Sequence, residues 1–147
     1  MMVVQKDPVG RPGEGAETIL LVDDEDAVRK PAAGVLKKYG YCVLQAATAE
    51  EALDVWKAHS APISVLVTDM VMTGDLSGWE LAQQLLDVQP TLKVIYTSGY
   101  SAKMAAEVFH ITSQIIFLQK PYLGQRLAEA VRTALDSPAA TNNTEEK

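Results

Sequence analysis

The chain has 147 residues, room for one domain and little more. Hydrophobic residues make up 48% and charged residues 22%, a globular balance that excludes wholesale disorder. The net charge of −6 offers no electrostatic footprint for a nucleic-acid backbone or an anionic membrane, and the apolar runs are too short to span a bilayer.

Residues 1–17 hold Pro8, Gly10, Pro12, Gly13 and Gly15 among charges and read as a flexible leader or linker. The start has no long apolar secretion signal. The single cysteine, Cys42, excludes an internal disulfide and a Cys-based zinc cluster and reads as a small buried hydrophobe. A reduced, cytoplasmic, soluble domain is expected. Thr18-Ile19-Leu20-Leu21-Val22 is apolar enough for a strand buried on both faces. Asp26 is placed to cap a helix carrying Val28, Val35 and Leu36, which Gly40 ends. Pro31 falls about one turn into that helix, where it removes a backbone donor.

Tyr41 to Leu44 reads as a second strand. Thr48 and Glu51 form a capping box for a helix presenting Ala52, Leu53, Val55 and Trp56. Ile63 to Val67 is a third strand. Ser77 to Val88 is a third helix, with Leu81, Leu85 and Val88 on one stripe. Leu92 to Tyr96 is a fourth strand, followed by a short helix at 102–108. Ile115 to Leu118 is the fifth strand. Tyr122 to Leu135 is the last helix, with Leu127, Val131 and Leu135 inward and Pro121 at its entry. His59 and His110 read as exposed, and Trp56 and Trp79 as packing residues. Residues 137–147 are small and polar, a flexible tail. The ordered domain is thus expected over residues 18–136.

Five strands alternating with helices predict an α/β fold. Right-handed crossovers give a three-layer, flavodoxin-like (βα)5 domain with a parallel sheet of order 2-1-3-4-5. Ligands then bind at the carboxyl ends of the strands. Strand one ends in Asp23-Asp24-Glu25, strand three in Asp69, strand four in Thr97-Ser98-Gly99 and strand five in Lys120-Pro121. Grouped carboxylates repel unless a cation joins them, and oxygen-only ligands select a hard divalent ion, with Mg²⁺ the expected one. With charge so neutralised, an Asp can attack phosphorus, with Lys120 balancing charge and Ser98 donating to a phosphoryl oxygen.

Taken in order, Ile19 to Glu25, Thr68-Asp69-Met70, Ser77-Gly78, Ser98-Gly99 and Lys120-Pro121 resemble the receiver domain of two-component response regulators. Residues 17–24 and 96–100 look most like receivers at the carboxyl end of hybrid sensor histidine kinases. The resemblance implies that Asp69 is the phosphoacceptor. It implies Asp24 as a direct Mg²⁺ ligand, Asp23 as a helper through water, and the Val71 backbone carbonyl as another ligand. It makes Lys120 the partner of the phosphoryl group, Ser98 the switch hydroxyl and Phe117 the switch aromatic. The donor would be a histidine kinase or a histidine phosphotransfer protein, in a phosphorelay that involves neither nucleic acid nor membrane directly. The chain would not be an enzyme beyond assisting its own phosphorylation and dephosphorylation. No output domain is expected in it, and a weak homodimer stays open.

The sequence departs from the family pattern in places. Thr73 stands where the family usually has proline, which is expected to leave the loop more mobile. Val71 and Tyr100 are bulky or apolar beside the path of an attacking water, which predicts slow loss of the phosphoryl group. Other readings are a degenerate receiver acting as an interaction module, a haloacid-dehalogenase-like phosphatase and a flavodoxin-like carrier. The phosphatase needs a second acid where Val71 stands. The carrier needs a phosphate loop where Asp23-Asp24-Glu25-Asp26 would repel the phosphate.

Overall fold

In the computed structural model, residues 17–59, 62–112 and 114–137 are described. The expected leader and tail therefore lie, apart from Glu17 and Ser137, outside the described residues. The apolar runs form five strands: β1 (Thr18–Val22), β2 (Cys42–Ala46), β3 (Val65–Asp69), β4 (Lys93–Ser98) and β5 (Ile116–Gln119). They pair in parallel in the order β2-β1-β3-β4-β5, as the alternation predicts. Five helices connect or follow them: α1 (Asp26–Lys38), α2 (Ala49–Ala58), α3 (Gly78–Val88), α4 (Ala102–Phe109) and α5 (Gly124–Asp136). No helix among the described residues is long and apolar enough to cross a membrane.

The period-two geometry of a strand divides each apolar run between two cores. Ile19, Leu21, Val65, Val67, Ile95 and Leu118 face α1 and α5, where they meet Leu36, Leu127 and Val131. Leu20, Val22, Leu66 and Tyr96 face the other way, onto α2, α3 and α4, with Ala52, Leu81, Leu85 and Ala105. Both faces of the sheet are thus covered, which is why Ile19–Val22 of β1 and Val65–Val67 of β3 are apolar without a break.

Strand ends differ from the sequence reading in one systematic way. β3 runs to Asp69 rather than Val67, β4 to Ser98 rather than Tyr96, and β2 to Ala46 rather than Leu44. Hydrophobicity stops before the ladder does: Asp69 still pairs with Thr97, and Ser98 with Gln119. Thr68, Asp69, Thr97 and Ser98 therefore lie in the sheet's rim with strand geometry, whereas Asp23, Asp24 and Lys120 follow the ends of their strands.

Several local expectations are corrected. Asp26 is not the cap of α1. Glu25 holds that place without a side-chain bond, and Asp26 lies in the first turn, 2.7 Å from the Arg29 guanidinium. The buried stripe of α1 is Arg29, Ala32, Ala33 and Leu36, with Val28 and Val35 only half-buried. Pro31 sits inside an unbroken α1. Ala27, whose carbonyl loses its partner, is exposed, so water can take the vacated bond. Thr48 accepts from the Glu51 N–H, but Glu51 reaches Ala47 N–H instead of closing the box on Thr48. The full capping box is on α3, between Ser77 and Glu80.

Val88 is 71% exposed, because the inward stripe of α3 continues through Leu85 to Gln89, whose amide donates to the Ile63 carbonyl. Cys42 is exposed as the first residue of an edge strand. His59 is half-buried at the end of α2, with Nε2 lacking a partner among the described residues, whereas His110 is exposed. Pro121 precedes the helix, since α5 starts at Gly124.

Candidate functional site

β1 and β3 are neighbours, so their carboxyl ends bring Asp23, Asp24 and Asp69 together across 46 residues of chain. One carboxylate oxygen from each lies within 4.8 Å of the others. Asp23 and Asp69 are buried and Asp24 is half-buried. The turn that presents the first two is held from below. Arg29, itself buried, donates to the Asp23 carbonyl at 2.9 Å and to Gln45 Oε1 at 3.1 Å. The Asp23 carboxylate also accepts from Glu25 N–H at 2.9 Å. At β3, Gly78 packs so closely on the Asp69 carbonyl that a Cβ there would overlap it, while Gly78 N–H donates to the Met70 carbonyl at 3.0 Å. A glycine at the start of α3 is therefore a steric requirement of this site.

β5 brings the cation. The Lys120 ammonium is 2.9 Å from Asp23 Oδ2, 3.0 Å from Asp69 Oδ2 and 3.0 Å from Glu25 Oε1. Its backbone N–H donates to the Ser98 carbonyl at 2.7 Å, which puts Ser98 on the same rim. The Ser98 hydroxyl is buried and accepts from Tyr100 N–H at 3.0 Å. Phe117 is apart from the acids. It pairs with Tyr96 across β4 and β5 and packs, half-buried, on the α2–α3–α4 side.

Electrostatics follow from this crowding. Burial raises the pKa of Asp69 above its ordinary value, with the Asp23 charge adding to the rise; hydrogen bonding and attraction from Lys120 oppose it without cancelling it. Burial alone would pull Lys120 down, but its hydrogen bonds to Asp23, Asp69 and Glu25 together hold it above the ordinary lysine value. Asp69 thus rises chiefly through burial, and Lys120 rises because several carboxylates share its one ammonium. Tyr122 is pushed up to about 12 by its burial and by the nearby acids.

The structure thus gathers Asp23, Asp24, Asp69 and Lys120, places Ser98 beside them and leaves Phe117 at a distance. Glu25, the third partner of Lys120, has no role in the sequence reading, although the acidic run Asp23 to Asp26 carried the signal. Arg29 was also missed, for a lone Arg in a helix pattern reads as surface. The Thr73 N–H, 3.2 Å from Asp24 Oδ2, could not be read from side-chain chemistry at all. The donor set is all oxygen and strongly anionic, which suits a hard divalent cation.

The family model for the response regulator receiver domain matches residues 19–132. The chain belongs to the response regulator receiver family. It is 34% identical over 122 residues to the sensor kinase CckA of Brucella abortus, covering 83% of this chain and 13% of that protein. It is 32% identical over 84 residues to the receiver protein CpdR of the same organism, covering 57% of this chain and 68% of CpdR. The chain thus spans only a small fraction of the kinase. The crystal structure of the receiver domain of the hybrid histidine kinase CckA superposes with a TM-score of 0.67 at 36% identity, covering 81% of this chain and 99% of that one. A receiver protein from Sinorhizobium medicae gives 0.74 at 28% identity, with coverages of 84% and 97%. The chain is therefore a receiver domain of two-component signalling, akin to hybrid-kinase receivers. Receiver domains take part in exchanges with histidine kinases or phosphotransfer proteins and bind Mg²⁺ at an acidic site.

Proposed function

We propose that this domain accepts a phosphoryl group on Asp69 from a phosphohistidine and thereby switches a protein-interaction surface. The observation that carries the reading is the juxtaposition at Asp69. A buried carboxylate at the rim of the sheet faces two further aspartates within 4.8 Å and one ammonium at 3.0 Å. Asp23, Asp24, Asp69 and the Val71 carbonyl would hold Mg²⁺, which when bound neutralises the anionic charge that otherwise repels a phosphoryl donor.

In the transfer, an Asp69 oxygen forms the new bond to phosphorus as the phosphorus–nitrogen bond of the donor breaks. The donor imidazole leaves with the electron pair. Lys120, already charged and fixed by three carboxylates, pairs with the arriving oxygens. The Ser98 hydroxyl turns from its contact with Tyr100 N–H toward the phosphoryl group, and Phe117 moves into the space released. The donor is a histidine kinase or histidine phosphotransfer protein on the cytoplasmic side. The chain turns over no separate substrate, assisting only its own phosphorylation and dephosphorylation.

Incubation with a small phosphodonor and Mg²⁺, followed by intact-mass measurement, tests this. The parent gains one acid-labile phosphoryl group, and Asp69→Asn gains none. A parent that never gains mass would instead make the domain a phosphorylation-independent interaction module.

A further inference from the structure

Asp24 differs from its neighbours in what faces it. Lys120 touches Asp23, Glu25 and Asp69 and makes no ion pair with Asp24. Among the described residues, the one hydrogen-bond partner of the Asp24 carboxylate is the backbone N–H of Thr73, at 3.2 Å from Oδ2. Three carboxylates within 4.8 Å repel one another. Two of them are buried and hold the ammonium; Asp24 is half-buried and does neither, so rotation into water would relieve its repulsion. The Thr73 amide opposes that rotation. It comes from 49 residues along the chain, so it ties the loop after β3 to the loop after β1. The next residue, Gly74, has a φ of 109°, a left-handed value that glycine adopts without strain, and Glu50 Oε1 lies 3.0 Å from where a Cβ would stand. The backbone that presents the amide is thus shaped by a glycine and flanked by a carboxylate.

We propose that the Thr73 backbone N–H is a positioning group of the metal site. It keeps the Asp24 carboxylate turned toward Asp23 and Asp69 and so strengthens the affinity for a divalent cation. The proposal rests on the magnesium reading above. It assigns the effect to the amide and not to the side chain, which is exposed and makes no hydrogen bond among the described residues. A proline at this position, the residue common in the family, has no proton to give. The loop in which Thr73 replaces proline thus carries a tether to Asp24, made by the donor that proline lacks.

The test compares the parent with Thr73→Ala, Thr73→Pro and an ester in place of the peptide bond at residue 73, the last deleting the N–H without adding a ring. Mg²⁺ affinity is read by calorimetry and by the rise of the unfolding midpoint with Mg²⁺ concentration. Thr73→Ala keeps the parent affinity. Thr73→Pro and the ester bind about tenfold more weakly, the lower end of what losing an outer partner of a metal ligand costs. Midpoints in chelator separate this from general destabilisation. If Thr73→Pro does not fold, the ester decides alone. Equal or tighter binding by the proton-free variants, or equal weakening by Thr73→Ala, overturns the proposal. A parent that binds no Mg²⁺ overturns the metal reading as well, so the two failures are told apart.

Discussion

Replacing Lys120 with methionine removes the one ammonium at the rim while keeping most of the side-chain volume. Three contacts are lost, at 2.9, 3.0 and 3.0 Å. At an effective dielectric of about 20, each is worth roughly 5 kcal/mol before desolvation is counted. Glu25 is 59% exposed, so water screens its share almost entirely. Asp23 and Asp69 have side-chain exposures of 3% and 8%, and their charges would be left facing each other. Breaking a buried pair costs about 3–5 kcal/mol; the Lys120 side chain keeps 13% exposure, so about 3 is expected in chelator at pH 7. With a urea slope of about 1.5 kcal/mol/M, the midpoint falls by about 2 M. Added Mg²⁺ then raises the midpoint more in the variant than in the parent, because it supplies the missing positive charge. Urea titrations of both proteins, with chelator and with Mg²⁺, read both effects. A midpoint unchanged in chelator would show that Lys120 does not balance these acids.

Further outcomes follow from the same geometry. Asp69 has a folded pKa above its ordinary value of 3.8, so its contribution to stability is present below 3.8 and lost as pH rises through the folded pKa. Asp69→Asn should therefore be more stable than the parent in chelator at pH 7, with the gain vanishing below about pH 4; denaturant midpoints across pH check this, and a parent more stable at neutral pH would contradict it. Gly78→Ala forces a Cβ onto the Asp69 carbonyl and should cost about 3 kcal/mol or more, seen as a lowered unfolding midpoint. Val71, 48% exposed beside the acceptor, should slow water attack, so Val71→Asn is expected to lose its phosphoryl group several-fold faster in a decay assay. An unchanged decay would remove Val71 from that role.

Legibility in the sequence divided along a physical line. The β/α alternation could be read because burial on both faces demands apolar runs, and Ile19 to Val22 and Val65 to Val67 obey that demand. Strand ends were misplaced because backbone pairing at Thr68-Asp69 and Thr97-Ser98 outlasts hydrophobicity. Asp23, Asp24, Asp69 and Lys120 could be located because charged side chains at strand ends are costly unless used. Val88 and Cys42 went wrong because apolar character says nothing about whether a residue stands at the end of a helix or on an edge strand. Arg29 and the Thr73 amide were hidden for another reason. One is a buried charge whose link to the site is the Asp23 backbone carbonyl, the other a backbone donor common to every residue except proline, and neither link leaves a mark in residue type.

If Asp69 accepts a phosphoryl group as proposed, the charge inventory says why the site would need outside help to do so. Asp23, Asp24, Glu25 and Asp69 set four carboxylates against the single ammonium of Lys120, leaving three negative charges at the rim. An anionic donor approaching that rim is repelled, and the Asp69 carboxylate, though a good nucleophile in principle, is held partly in check by Lys120. A dication held by Asp23, Asp24 and Asp69 would cancel two of the three charges and leave the Lys120 ammonium available to the arriving oxygens. On the proposed reading, the same excess of acid that makes the rim electrostatically costly would also make it selective, since it would admit the phosphoryl group only together with a cation.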